Sequence, residues 1–211
     1  MRIATIFSSI YLEFFSKYFL TTLPKDVKDL RIYFITEFFG SCFGSMESKQ
    51  CGMKKLDVIW ENIQSLEDNE ILLFVDADVI FNHKKNLEKS MTELLNDNDV
   101  VFIENDSSKI NTGIICIRIN ERTRRFFKEM YERRLECMVL EYNELDLINS
   151  NLNNSGLKWA KAPLQYLFST EYFNNNKSNL PDTWIMYHVV GMPDANSKTN
   201  FIDANIQYLK N

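Results

Sequence analysis

The sequence predicts an α/β fold, one Rossmann-like mixed sheet flanked by helices, and three observations carry the prediction. Short apolar runs of strand length alternate with longer stretches whose apolar residues recur every three or four positions. The segment ILLFVDADVIF at 71–81 opens with five apolar residues in succession, the pattern of a central strand buried on both faces. Apolar residues make up 45% of the 211 and aromatics 13%, sixteen residues being Phe, which is enough to fill a core. No repeat and no linker rich in Pro, Gly or Ser interrupts the chain. A single domain over 1–211 is therefore the simplest count, and it could be a piece of a longer protein.

The elements follow in order. IATIF at 3–7 reads as a short buried strand, and a helix with apolar and aromatic positions runs from 10 to 20 until Pro24 forbids continuation. LRIYFIT at 30–36 is a second strand, and FGSCFGSM, with two of the six glycines, is a loop. From 49 to 66, Met53, Leu56, Ile59, Ile63 and Leu66 form one face of a helix. The buried strand at 71–81 comes next, then a helix to Leu95, a strand at 99–105, and a loop followed by a strand over INTGIICIRIN at 110–120. ERTRRFFKEMYERRLECMVL is a strongly amphipathic helix and NELDLINSNL a short one. The Asn-rich 174–179 stretch reads as a surface loop, WIMYHVVG at 184–191 as a late strand, and IDANIQYLK as the closing helix.

A net charge of -5 argues against a binder of duplex nucleic acid, which needs a basic face. Any anionic ligand must then be met by a few local cations or by a metal ion. Cys42, Cys51, Cys116 and Cys137 form no CxxC pair, so a zinc ribbon is not expected and they read as free thiols in a reducing compartment. No segment reaches membrane-spanning length. Glu13 and Lys17 interrupt the apolar start and no small-x-small cleavage pattern follows, which predicts no signal peptide and a soluble, cytoplasmic protein. The sequons at Asn105, Asn153 and Asn176 then mark only an Asn-rich surface.

Chemistry starts at Asp76-Ala77-Asp78. In open α/β sheets, ligands bind beyond the carboxyl ends of the strands. Two carboxylates one residue apart repel unless a cation lies between them, and hard oxygen ligands favour Mg²⁺ or Mn²⁺. The same triplet fits an acidic structural turn. It also fits a haloacid-dehalogenase-type phosphatase with Asp76 as nucleophile, but there the strand opens the domain, and a Lys and a late acidic cluster follow. Here the strand is about the third, and Asp182 and Asp194 are isolated.

The ordered set of strand-DAD-VIF, Asn111-Thr112-Gly113, Asn143-Glu144-Leu145-Asp146-Leu147-Ile148-Asn149 and His188-Val189-Val190-Gly191 resembles the landmarks of the retaining GT-A glycosyltransferases. These are the glycogenin-like, xyloglucan xylosyltransferase and nucleotide-diphospho-sugar transferase types. In overall look, the chain is also similar to the capsid-decorating glycosyltransferase domains of algal viruses. The resemblance implies metal-dependent transfer of a sugar from a UDP-sugar to a hydroxyl of a glycan or glycoprotein, with retention and with Mn²⁺ or Mg²⁺; were the transfer inverting instead, Glu144 or Asp146 would be the general base. It places a viral member in the host cytoplasm.

Residue by residue, the resemblance implies metal ligation by Asp76, Asp78 and His188, and carboxylates Glu144 and Asp146 near the sugar ring. Phe7, Ser8 and Ser9 would hold the uridine, Asp76 would contact the metal or the donor ribose, and Ala77 would belong to the donor-binding set. Lys55, or its neighbour Lys54, would face the phosphates. Asn111 and Gly113 would meet sugar hydroxyls, Gly191 would let backbone approach the diphosphate, and Lys198 would be the nearest downstream cation, although the family's Lys lies closer to the His. Leu145 departs from the family, which often has Gln there. Plain readings stand beside these: strand end, turn, solvated helix face, and an acidic first helical turn favoured by the dipole at 144–146. His83 reads as solvated. Trp159, Tyr166, Phe168 and Tyr172 are candidates to stack an acceptor, and core packing accounts for them as well. A catalytically silent module that binds sugar nucleotides or glycans, and a plain interaction domain, are the readings from other classes.

Overall fold

The computed structural model describes residues 1–36, 46–104, 109–139 and 143–209. Strands β1 (Arg2–Ser8), β2 (Asp29–Ile35) and β3 (Ile71–Val75) pair in parallel, with β1 in the middle. Further strands are β4 (Val79–Phe81), β5 (Val100–Glu104), β6 (Ile110–Arg118), β7 (Trp159–Lys161), β8 (Leu167–Ser169) and β9 (Met186–His188). The main sheet has six strands in the order β2-β1-β3-β6-β5-β7, and β6 runs antiparallel to both of its neighbours. A second sheet of three short strands has the order β4-β9-β8, so the single expected sheet is joined by a smaller one.

Three apolar layers hold these sheets. On one face of the main sheet, Leu56 and Ile59 of the Met46–Ser65 helix, Phe126 and Phe127 of Glu121–Arg133 and Leu147 of Glu144–Leu152 pack on Ile6, Phe74 and Phe102. On the other face, Ile3, Leu73, Val101 and Cys116 meet Phe15, Phe19, Leu87 and Met91. The small sheet closes that layer through Leu167 and Met186 and builds a third with Phe168, Tyr187, Phe173 and Ile202. The helical stretch 12–22 serves both layers at once. It contains a π turn at Phe15–Phe19, and its aromatics divide, Phe15 and Phe19 inward and Phe14 and Tyr18 toward the third layer.

Several expectations change. The run 71–81 is not one strand: it breaks after Val75, and Asp76-Ala77-Asp78 turns the chain out of the main sheet into the small one. The Asp76 N–H still donates to the Gly113 carbonyl of β6 at 2.8 Å, whereas the Asp78 carbonyl accepts from the Val189 N–H at 3.0 Å. Asn111-Thr112-Gly113 is strand rather than loop, beside a register shift at Phe102/Ile103. The stretch expected to be a loop at 174–179 is the end of the Thr170–Asn176 helix and a 3₁₀ turn at Lys177–Asn179. β4, β7 and β8 have three residues each, too few for alternation to reveal them in sequence. Residues 39–45 of the expected loop, Cys42 and Asn105 lie outside the described residues. Among the described residues no helix is long and apolar enough to cross a membrane.

Asp99 ties the far half of the main sheet together. It is 2% exposed, and it accepts from Arg122 Nε at 2.7 Å, Arg122 Nη2 at 2.6 Å, Asn120 Nδ2 at 2.8 Å and the Lys158 N–H at 2.9 Å. Burial alone would raise its pKa, but the Arg122, Lys158 and Asn120 hydrogen bonds outweigh it and lower the pKa from 3.8 to about 2. A depressed carboxylate stabilises the fold above its unfolded pKa and loses that contribution as pH falls through the folded one. Asp99→Asn should therefore lose about 2 kcal/mol in urea unfolding at pH 7, and the gap from wild type should shrink steadily below about pH 4.

Candidate functional site

The Asp76–Asp78 turn opens into a cavity of about 780 Å³. Its walls come from the ends of β1 and β3, the start of β6, the N-termini of the helices at Glu144 and Ala195, and the turn after β9. Strand ends and helix starts converge there because the parallel strands share one carboxyl end, where main-chain polar groups and ligands can meet.

Two buried cations face the carboxylates. Lys55 Nζ lies 2.9 Å from Asp76 Oδ1 and 3.1 Å from Glu144 Oε1, and it donates to the Thr112 carbonyl at 3.4 Å. The Thr112 hydroxyl donates to Glu144 Oε1 at 3.2 Å. Lys198 Nζ donates to Asp78 Oδ2 and lies 3.4 Å from the Tyr11 hydroxyl. Burial alone would discharge these lysines, but Asp76 and Glu144 around Lys55, and Asp78 beside Lys198, more than offset it, and both pKa values rise. The carboxylates respond in the opposite sense. Burial favours neutral Asp78, yet Lys198 and His188 pull its pKa down, and Lys55 does the same for buried Glu144. Both acids are thus ionised at neutral pH.

His188 completes the set. The β4–β9 register puts His188 opposite Val79, one residue along from Asp78. Its Nε2 stands 3.2 Å from Asp78 Oδ1 and 3.6 Å from Asp76 Oδ2. Buried Asp78 Oδ1 accepts no hydrogen bond from the described residues. Ligand atoms of Asp76, Asp78 and His188 all lie within 4.8 Å of one another. An octahedral ion with bonds of about 2.1 Å holds adjacent ligands roughly 3 Å apart, and carboxylate oxygens with an imidazole suit Mg²⁺ or Mn²⁺, so these residues fit such an ion.

The remaining sequence-predicted residues divide. Phe7, Ser8, Lys55, Ala77, Asn111, Gly113, Gly191 and Lys198 line the cavity. Lys54 is exposed, so Lys55 is the inward member of the pair. Asn111 turns Oδ1 onto the Gly113 N–H at 2.7 Å and so shapes its own strand. Ser9 is exposed and does not line the cavity. Asp146 is spent on a capping box, its carboxylate accepting from the Asn143 N–H at 3.3 Å, and it too lies off the cavity. Trp159, Tyr166, Phe168 and Tyr172 also stand away from the cavity, and Phe168 is fully buried against Tyr187 and Trp184. Sequence reasoning missed Tyr11, Cys51, Gly52 and Thr112, all on the cavity wall. Thr112 had a signal, its place between Asn111 and Gly113; the others had none. Burial pushes the Cys51 thiol up to about 11, so it is a neutral wall group rather than a nucleophile.

Gly113 has a specific reason to be glycine. A Cβ there would sit 1.9 Å from His188 Cε1, so the imidazole occupies the space a side chain would take. Gly113→Ala should destabilise by about 2 kcal/mol through this overlap. In a His188→Ala background the same change should cost much less. A double-mutant cycle by denaturant unfolding measures the difference, and full additivity would show that the two residues do not abut.

No family model matches the chain, and no curated protein matches it in sequence. Solved structures do match in fold. A glycosyltransferase involved in glycosylation of the major capsid of PBCV-1 superposes with a TM-score of 0.68 at 12% identity, covering 97% of this chain and 100% of that one. The galactosyltransferase LgtC, solved with donor and acceptor sugar analogues, gives 0.53 at 12% identity, covering 98% and 96%. Mouse xyloside xylosyltransferase 1 gives 0.51 at 9% identity, covering 89% and 96%. Over nearly its whole length, this chain has the fold of the GT-A glycosyltransferases.

Proposed function

We propose that the protein is a metal-dependent glycosyltransferase that transfers a sugar from a UDP-sugar to a hydroxyl of a glycan or glycoprotein, with retention. The observation that carries this reading is the meeting of Asp76, Asp78 and His188 on the wall of a large cavity, in a fold shared with glycosyltransferases. A glycoprotein acceptor is the reading favoured by likeness to the PBCV-1 capsid enzyme. Asp76, Asp78 and His188 would hold Mn²⁺ or Mg²⁺. Such an ion, when bound, supplies Lewis-acid stabilisation of the charge that develops on the departing diphosphate.

The chain's own residues do the rest. Lys55 fixes Asp76 and Glu144 in place and balances their charge, so the ligand carboxylate does not swing. Phe7 and Ser8 at the end of β1 offer the face for the base. Gly191, at φ 77°, takes a backbone conformation that L side chains rarely adopt and brings main chain to the cavity. Glu144 stays ionised on the cavity wall, where it can stabilise positive charge at the sugar carbon electrostatically. A lowered pKa makes it a poor proton acceptor at neutral pH. Asp146 is engaged in its helix cap. With neither acid suited to act as general base, the proton of the acceptor goes most readily to the departing diphosphate, which is the retaining course. The phosphatase alternative gains nothing, since Asp182 is exposed and Asp194 caps a helix through the Ser197 N–H at 2.7 Å.

Mn²⁺ and UDP together should raise the melting temperature of the wild type, because a ligand that binds only the native state stabilises it. Turnover of a panel of UDP-sugars should require the ion. Asp78→Asn and His188→Gln should each lose that thermal shift and at least about 100-fold in turnover, with the circular dichroism spectrum retained. Undiminished metal-dependent turnover in both variants would sink the proposal. Glu144→Gln should lower kcat more than it raises KM for the donor, by about tenfold or more.

A further inference from the structure

Lys198 stands where an arriving cation must compete. Its ammonium, on the first turn of the Ala195–Leu209 helix, is buried and donates to Asp78 Oδ2. It also lies 5.3 Å from the centre of the Tyr11 ring, with the Tyr11 hydroxyl at 3.4 Å. The other Asp78 oxygen faces His188 Nε2 at 3.2 Å and accepts no hydrogen bond from the described residues. One carboxylate is thus divided between an internal cation and the three-residue set that suits a divalent ion. An ammonium and a dication on the same buried carboxylate repel strongly, because little water screens them. Lys198 also has somewhere to go: Tyr11, Val190, Gly191 and Met192 share the cavity wall with it, and its long side chain can pivot into that space.

We propose that Lys198 is a built-in competitor for the cation at Asp78, holding the carboxylate until a divalent ion and a nucleoside diphosphate arrive together. The inference rests on the donor reading above and adds how that site is regulated. A cation that binds alone must push the ammonium off its carboxylate partner. A cation that binds with a diphosphate releases Lys198 toward phosphate oxygens. The two ligands then bind with positive coupling beyond their direct contact with each other, and linkage makes the coupling reciprocal. Free divalent ions alone would occupy the site weakly.

The test is calorimetric titration of the full chain with MnCl₂ alone and then in the presence of UDP. Lys198→Met should bind Mn²⁺ alone about tenfold more tightly than wild type, and the gain in Mn²⁺ affinity on adding UDP should shrink by a similar factor. Lys198→Arg keeps the charge and should stay within about twofold of wild type for Mn²⁺ alone. Lys198→Gln is the second neutral variant should the Met side chain impair folding. Equal or weaker affinity for Mn²⁺ in the neutral variants, with wild-type binding of Mn²⁺ and UDP intact, overturns the competitor role and leaves the donor reading standing. Absence of Mn²⁺ binding to the wild type even with UDP removes both.

Discussion

Three carboxylates, Asp76, Asp78 and Glu144, are held within one partly enclosed site, and the fold has to neutralise them. Two buried lysines do most of this, Lys55 between Asp76 and Glu144 and Lys198 on Asp78. Burying ionised groups is costly unless they are paired and hydrogen-bonded, so the site depends on each partner being delivered to within a few ångströms. The helices that carry the lysines, the glycine that admits the imidazole and the turn that joins the two sheets are all consequences of that requirement.

The junction of the sheets explains the choice of place. A continuous strand through 71–81 would keep Asp76 and Asp78 on one face of the main sheet, since residues two apart share a face. Breaking the strand after Val75 instead lays the triplet along the cavity wall and hands the chain to the small sheet. The break does not leave the backbone unsatisfied, because Gly113 and Val189 take up the Asp76 N–H and the Asp78 carbonyl from either side. β9 then runs past β4 in the register that puts His188 beside Asp78. The small sheet is therefore a positioning device for one imidazole, clamped between two aromatic layers that include Phe19 against Phe81 and Phe173 against Tyr187.

The charge state of the site follows from the same packing. Lys198 keeps Asp78 ionised and Lys55 does the same for Glu144, each against the cost of burial. The Asn111-Thr112-Gly113 strand contributes mostly through its backbone and its lack of bulk. Asn111 bonds its own strand, Thr112 offers its carbonyl to Lys55 and its hydroxyl to Glu144, and Gly113 leaves room for His188.

Local pattern was enough to read the longer elements. The helix faces of 46–65 and 121–133 and the apolar strands β1, β3 and β5 announce themselves by periodicity, because burial of a regular face leaves a regular trace. The Asp76-Ala77-Asp78 signal was legible for the same reason: a pair of carboxylates ends a run too apolar to be surface. Three-residue strands and the break at Asp76 were not legible, since each is set by a partner strand away from it in sequence, and the strand character of Asn111 was hidden by the register shift across which it pairs with Ile103. Nor did sequence rank the charged residues. Lys54 and Lys55 are equivalent in composition and only the packed helix turns one inward; Glu144 and Asp146 share a first helical turn, yet one reaches the cavity and the other closes its own cap. The chain by itself determined which residue types were present and with what period. Which of them share one site was decided by tertiary structure alone, because carboxylates, ammonium groups and an imidazole interact through distances of a few ångströms that no sequence separation encodes.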